Sequence, residues 1–321
     1  MKQTILFLFC LFSIYLTHPN INSVFAKAPT TPKIAFSSTR DGNSEIYIMN
    51  PDGSDLVNLT RDPARDHNPI WSPTGEHIVF NSDRDGKRDI YIMDANGKNV
   101  RKVFRKPAYR EYPVWSPDGK SIAYTHPWAI YVASIDGDDV QQIAQTGWLG
   151  GSPAWSPNGT HILFTLTQAI HPGSYQLQLV NLRTRAQKTI HPEAWLRMRD
   201  AAWSPDGEKI AFSHIPPLRK DMDKGTIYMI DRSGEELRQV VPVGRSRASM
   251  PVWSPNGTEL LYQRRDGDHT QLFKINLQTG ISQKLTRRGI NYAADWFDPA
   301  TLPVQPQAEL LTTTWGQLKQ K

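Results

Sequence analysis

One cysteine occurs in 321 residues, Cys10, and it lies inside an N-terminal apolar run. Beyond that run the chain has no disulfide, thiolate metal site or thiol nucleophile to offer. Long hydrophobic runs are also lacking. The longest, residues 5–16, has 12 members, against the roughly 20 that a membrane-spanning helix needs. Neither a Gly-x-Ser-x-Gly elbow nor a His-Glu-x-x-His pair is present, which removes the signatures of serine-hydrolase and zincin chemistry. The 9 histidines are scattered singly. Short acidic loops at Arg40-Asp41-Gly42-Asn43 and Asp83-Arg84-Asp85-Gly86 lack the further oxygen ligands of a calcium loop and read as solvated turns. Neither a metal nor a cofactor is expected, and no catalytic residue is assigned.

The first 26 residues have the make-up of an export signal. Lys2 gives the positive start, residues 5–16 the apolar core, and Val24-Phe25-Ala26 the cleavage site. Phe9 before Cys10 is too large for a lipoprotein signal. Processing after Ala26 would lower the formal charge from +6 to +5 by removing Lys2. The mature chain is then modestly basic, compatible with an anionic partner. A periplasmic or secreted location is expected, with no transmembrane segment in the mature chain.

What the chain has in regular supply is tryptophan. Trp71, Trp115, Trp155, Trp203 and Trp253 open the segments WSPTG, WSPDG, WSPNG, WSPDG and WSPNG. A sixth site reads Trp296-Phe297-Asp298-Pro299, and the successive intervals are 44, 40, 48, 50 and 43 residues. That is the period of a four-stranded propeller blade. Ser-Pro-Asp/Asn-Gly is type I turn chemistry. After each turn the β-branched and aromatic tetrads at 77–80, 121–124, 161–164, 209–212 and 259–262 predict second strands. Third strands follow at 89–94, 129–134, 226–231 and 271–276, and fourth strands at 100–104 and 237–241.

The chain ends predict the closure. Before Trp71 stand a second strand (33–36), a third (45–50) and a fourth (56–60), and after the unit of Trp253 only a first strand, ending at Trp296. The two pieces make one blade. The expected fold is therefore all-β, a six-bladed β-propeller over residues 27–297, closed by the C-terminal strand joining the N-terminal blade. Each tryptophan is expected to fill the wedge between adjacent blades. Residues 298–321, with Leu310, Leu311 and Trp315, are expected to be a tail docking on the propeller.

The repeated string, WSPDG, a strand such as KIAF, a D-G turn, a strand such as IYIMD and an L-T close, resembles the TolB-type propeller repeat over residues 33–297. Similar blades occur in prolyl-oligopeptidase-like and tricorn-type peptidases. The resemblance implies a propeller, export and a binding role. No counterpart of the family's N-terminal α/β domain is expected before Lys33, and no hydrolase domain after Trp296.

Propeller topology puts the fourth-to-first connectors and the second-to-third loops on one face. The six connectors (61–66, 105–111, 145–151, 192–199, 242–249 and 287–290) carry 11 Lys and Arg against 4 Asp and Glu. A positive mouth for a protein or an anionic peptide or glycan is expected there. The contacts expected three and four residues before each tryptophan are His67, Asn68, Glu111, Tyr112, Arg199, Asp200 and Tyr292. The alternative is an exported hydrolase or lyase acting on a polyanionic glycan, with His67, Glu111, Tyr112 and Arg199 as its acid, base and anion-binding groups. A nucleic-acid partner is not expected in an exported chain, and a monomer is.

Overall fold

A computed structural model describes residues 26–147, 151–167, 175–191, 197–216, 221, 224–244 and 246–302. Residues 1–25, which hold most of the expected export signal, much of the loops at 168–174 and 214–225, and the tail from residue 303 onward lie outside the described residues.

Six antiparallel four-stranded sheets form a ring of blades. The innermost strands are Asp66–Trp71, Glu111–Trp115, Ala154–Trp155, Met198–Trp203 and Ala248–Trp253 for the second to sixth blades. In the first blade that place is taken from the far end of the chain. Asn291–Phe297 pairs with Lys33–Ser38, which continues to Glu45–Met49 and Val57–Asn58. The register sets Phe297 opposite Lys33 and Trp296 opposite Ile34. The predicted closure is the one observed.

Apolar side chains alternate along the strands and fill the seams between blades. Six clusters result, each drawing on two neighbouring blades and each holding one tryptophan of the repeat. Trp115, for example, packs with Val79, Ile90 and Ile92 of the second blade and Ile122 and Tyr124 of its own. The wedge role expected from the sequence is thus the observed one.

The fourth strands are shorter than the sequence predicts. Residues 56–60, 100–104 and 237–241 reduce to Val57–Asn58, Arg101–Lys102 and Arg238–Gln239. Beyond those short ladders Val103, Phe104 and Val241 are buried in the seam clusters, and the Val103 amide still donates to the Ile90 carbonyl at 3.0 Å. A short outer strand also offers little edge for pairing with another chain.

Each W-S-P-x-G turn is held by its serine. The Ser116 hydroxyl donates to Asp118 at 2.6 Å and accepts the Ser121 amide at 2.9 Å. The same pair of bonds recurs at Ser156, Ser204 and Ser254. At the closing seam the degraded repeat has a purpose. Phe297 stands where the others have serine, and its ring lies so close to Gly75 that a Cβ there would come within 2.2 Å of it. Gly75 also has φ +72°, so glycine is required twice over.

Candidate functional site

The six innermost strands enclose a central channel of about 550 Å³, lined by residues from every blade. Its middle belt is made by the residue before each tryptophan: Ile70, Val114, Ala154, Ala202, Val252 and Asp295. Its connector-side mouth is made by the residue three before: Asn68, Tyr112, Ser152, Asp200, Met250 and Ala293.

Five of those six mouth residues have left-handed backbone: Asn68 (φ 55°), Tyr112 (53°), Asp200 (51°), Met250 (53°) and Ala293 (48°). The strand registers shift at the same places, between His67 and Ile70, Glu111 and Val114, Arg199 and Ala202, and Ser249 and Val252. A β-bulge therefore recurs around the mouth and re-aims these residues. For Tyr112, Met250 and Ala293 such a conformation costs about 1–2 kcal/mol, while Asn68 and Asp200 tolerate it better. Buried polar side chains of the preceding blade hold three of the bulges. The Asn68 amide donates to the Ser37 hydroxyl at 3.1 Å, the Tyr112 amide to Asn81 Oδ1 at 3.1 Å, and the Met250 amide to the Ser213 hydroxyl at 3.0 Å. Ser37, Asn81 and Ser213 are not among the residues expected from the sequence. Their signal is a polar residue after the aromatic of each second strand.

The structure divides the sequence-predicted contacts into two sets. Asn68, Tyr112 and Asp200 line the channel together. His67, Glu111, Arg199 and Tyr292 are not among its lining residues. His67 is buried, and desolvation followed by the nearby Arg88 charge lowers its imidazole to about 4, so it is neutral at pH 7. Glu111 accepts from Arg88. The Arg199 guanidinium lies 5.1 Å from the centre of the Tyr175 ring. The Tyr292 hydroxyl shares a 2.7 Å hydrogen bond with Ser44. A bulge separates the two sets, because it turns residue i−3 to the channel and leaves residue i−4 in the seam.

The connector charge is also partly internal. Arg110 pairs with the fully buried Asp89 at 2.9 Å and lies 3.8 Å above Phe104. Asp66, likewise fully buried, takes Arg84 at 3.0 Å. Arg61, Arg65, Arg105, Lys106, Arg287 and Arg288 remain exposed on the rim. Among the described residues no three His, Cys, Asp or Glu side chains gather as a metal site.

Comparison with known proteins places this geometry. The family described as the TolB beta propeller domain matches residues 16–204 and 127–301. The chain belongs to the TolB β-propeller family. A 47-residue stretch is 47% identical to the Tol-Pal system protein TolB of Geobacter sulfurreducens, covering 15% of this chain and 11% of that protein. The chain thus spans a small part of the length of that relative. Among solved structures, TolB from Acinetobacter baumannii superposes with TM-score 0.73 at 20% identity, over 85% of this chain and 68% of that one. An oligogalacturonate lyase from Vibrio parahaemolyticus reaches 0.51 at 16% identity, over 81% of this chain and 73% of the other. At such identities these likenesses speak to the fold alone. Among the described residues of this TolB-family propeller, no helix is long and apolar enough to cross a membrane.

Proposed function

We propose that this chain is an exported, non-enzymatic binding propeller that takes a protein segment at the connector-side mouth of its channel. Residues 1–26 serve as the export signal, residues 27–297 as the binding ring and residues 298–321 as a docking tail, and the protein works as a monomer in the periplasm or outside the cell. The observation that carries this reading is the ring of strained backbone at the mouth. Five left-handed residues of unrelated chemistry, Asn68, Tyr112, Asp200, Met250 and Ala293, are kept in that conformation at one place. Strain persists where the surroundings hold it, and it collects at sites of recognition. The exposed rim arginines suit acidic residues on the incoming segment. The match to a protein named for the Tol-Pal system supports a protein partner.

Affinity capture from the native envelope fraction or medium, with the chain lacking residues 1–26 as bait, tests this. A protein retained by the wild type, lost with Tyr112→Ala and weakened by salt is the expected result. Equal retention by Tyr112→Ala would remove the mouth from the interaction.

The second reading is a lyase or hydrolase on a polyanionic glycan, favoured by the likeness to an oligogalacturonate lyase. His67 and Arg199 sit on the second and fifth blades, opposite one another in a ring of six, which does not favour a shared acid–base site. Turnover of uronic-acid polymers that disappears in His67→Ala or Arg199→Ala would establish it instead.

A further inference from the structure

The channel has the opposite electrostatic character to its rim. Asp200, Asp295 and Asp298 are among its described lining residues, and no Lys, Arg or His is. Asp200 belongs to the mouth and Asp298 to the opposite end, where the 3₁₀ turn Pro299–Thr301 and Leu302 lie. Asp295 is different. It occupies the belt position that the other blades give to Ile70, Val114, Ala154, Ala202 and Val252. A carboxylate therefore interrupts an apolar belt.

The Asp295 carboxylate accepts the Trp71 amide at 2.7 Å, which ties the closing strand to the second blade. Desolvation raises its pKa to about 6, with only backbone hydrogen bonds opposing the rise. At neutral pH it is a charge with no opposite charge beside it among the described residues. Such a group is costly to leave in low dielectric.

Three kinds of guest can be compared. An anion would meet carboxylates and, among the described lining residues, no cation. A wholly apolar group would fill the belt and strip the remaining water from Asp295, leaving its charge uncompensated. An aliphatic stem ending in a cation does better on both counts. Its methylenes lie against Ile70, Val114 and Val252, and its head forms a charge-assisted hydrogen bond with Asp295. The channel's 550 Å³ falls within the span of about 300–1,000 Å³ usual for sites that hold small groups.

We infer that the channel is a socket for an aliphatic cation, a basic side chain or an N-terminal ammonium of the protein partner, with Asp295 as its counter-charge. This deepens the proposed partner binding and depends on it only for where the cation comes from. The rim and the channel then read one segment by two charges, acidic residues outside and a basic group within.

The probes are small and defined. Nα-acetyl-lysine N-methylamide carries the cation on a side chain, leucine amide carries it as an α-ammonium, and Nα-acetyl-norleucine N-methylamide is a neutral control. The tryptophans around the channel report binding through their fluorescence in the full-length chain. The expected result is that one cationic probe binds about tenfold or more tightly than the norleucine probe, with that preference gone in Asp295→Asn. Which cationic probe binds identifies the source of the cation. Asparagine keeps an acceptor for the Trp71 amide, and the comparison of probes on the wild type needs no variant at all. Equal affinity for the neutral and both cationic probes overturns the socket, as does a cation preference that survives Asp295→Asn. A captured partner alongside either of those results leaves partner binding standing and the socket refuted. Asp295-dependent probe binding with no captured partner supports the socket and removes the partner.

Discussion

The seam closed by the two chain ends can be tested through one glycine. Gly75 and Gly119 occupy the same place in their W-S-P-x-G turns, with φ +72° and +70°. Their surroundings differ. A Cβ on Gly119 would meet Pro73 at 3.7 Å, ordinary contact, whereas one on Gly75 would lie 2.2 Å from the Phe297 ring. Gly119→Ala should therefore cost only the left-handed conformation, about 1–2 kcal/mol. Gly75→Ala should cost that and an overpacking penalty of about 1–3 kcal/mol besides. The difference between the two variants isolates the clash. Phe297→Ala should itself cost about 3–5 kcal/mol, since the ring is buried and packs 5.6 Å from Trp71. In that background the excess cost of Gly75→Ala over Gly119→Ala should vanish. Urea denaturation followed by tryptophan fluorescence gives all the values as a double-mutant cycle. If Gly75→Ala and Gly119→Ala prove equally destabilising, Phe297 does not seal the seam as described.

Two further outcomes are expected. Arg110→Ala should destabilise by about 3 kcal/mol in the same denaturation assay, because it leaves Asp89 fully buried with Lys102 as its remaining cation at 3.5 Å; a loss under about 1 kcal/mol would show the pair to be solvated. Asp295 should oppose folding at neutral pH. Its carboxyl is raised to about 6 in the folded protein and returns to the ordinary range near 4 on unfolding. The penalty is thus fully present above about pH 6, and protonation relieves it as pH falls from there towards about 4. The stability of Asp295→Asn relative to wild type should accordingly fall by about 2–3 kcal/mol between about pH 7.5 and about pH 4. A difference that does not change with pH would refute the buried charge.

Much of the ring was legible because its period is carried by residues with few substitutes. A tryptophan fills each seam, and serine, proline and glycine close each turn through bonds that recur from Ser116 to Ser254. The bulges at the mouth were not legible. A bulge depends on strand register, and Asn68, Tyr112, Asp200, Met250 and Ala293 share no chemistry that would mark one. What marks three of them, Asn68, Tyr112 and Met250, lies one blade back, in Ser37, Asn81 and Ser213, polar and buried. Position before the tryptophan therefore led to the channel lining at Asn68, Tyr112 and Asp200, whereas His67 and Tyr292 lie outside that lining. Counting connector charge also takes in cations that are paired inside the fold. Arg110 adds to a count of basic residues, yet it is spent on Asp89 inside the fold.

The shared first sheet also sets how this protein would fail. Withdrawal of Asn291–Phe297 would bare the inner edge of Lys33–Ser38, a run of unpaired amides and carbonyls beside Ile34 and Phe36. Such an edge is a template for any matching strand. The strand that matches it best is the one withdrawn from a second opened copy, so reciprocal exchange would rebuild two complete rings from two chains. Damage at this seam would then be seen first as linked dimers and chains of rings, before any loss of β-structure.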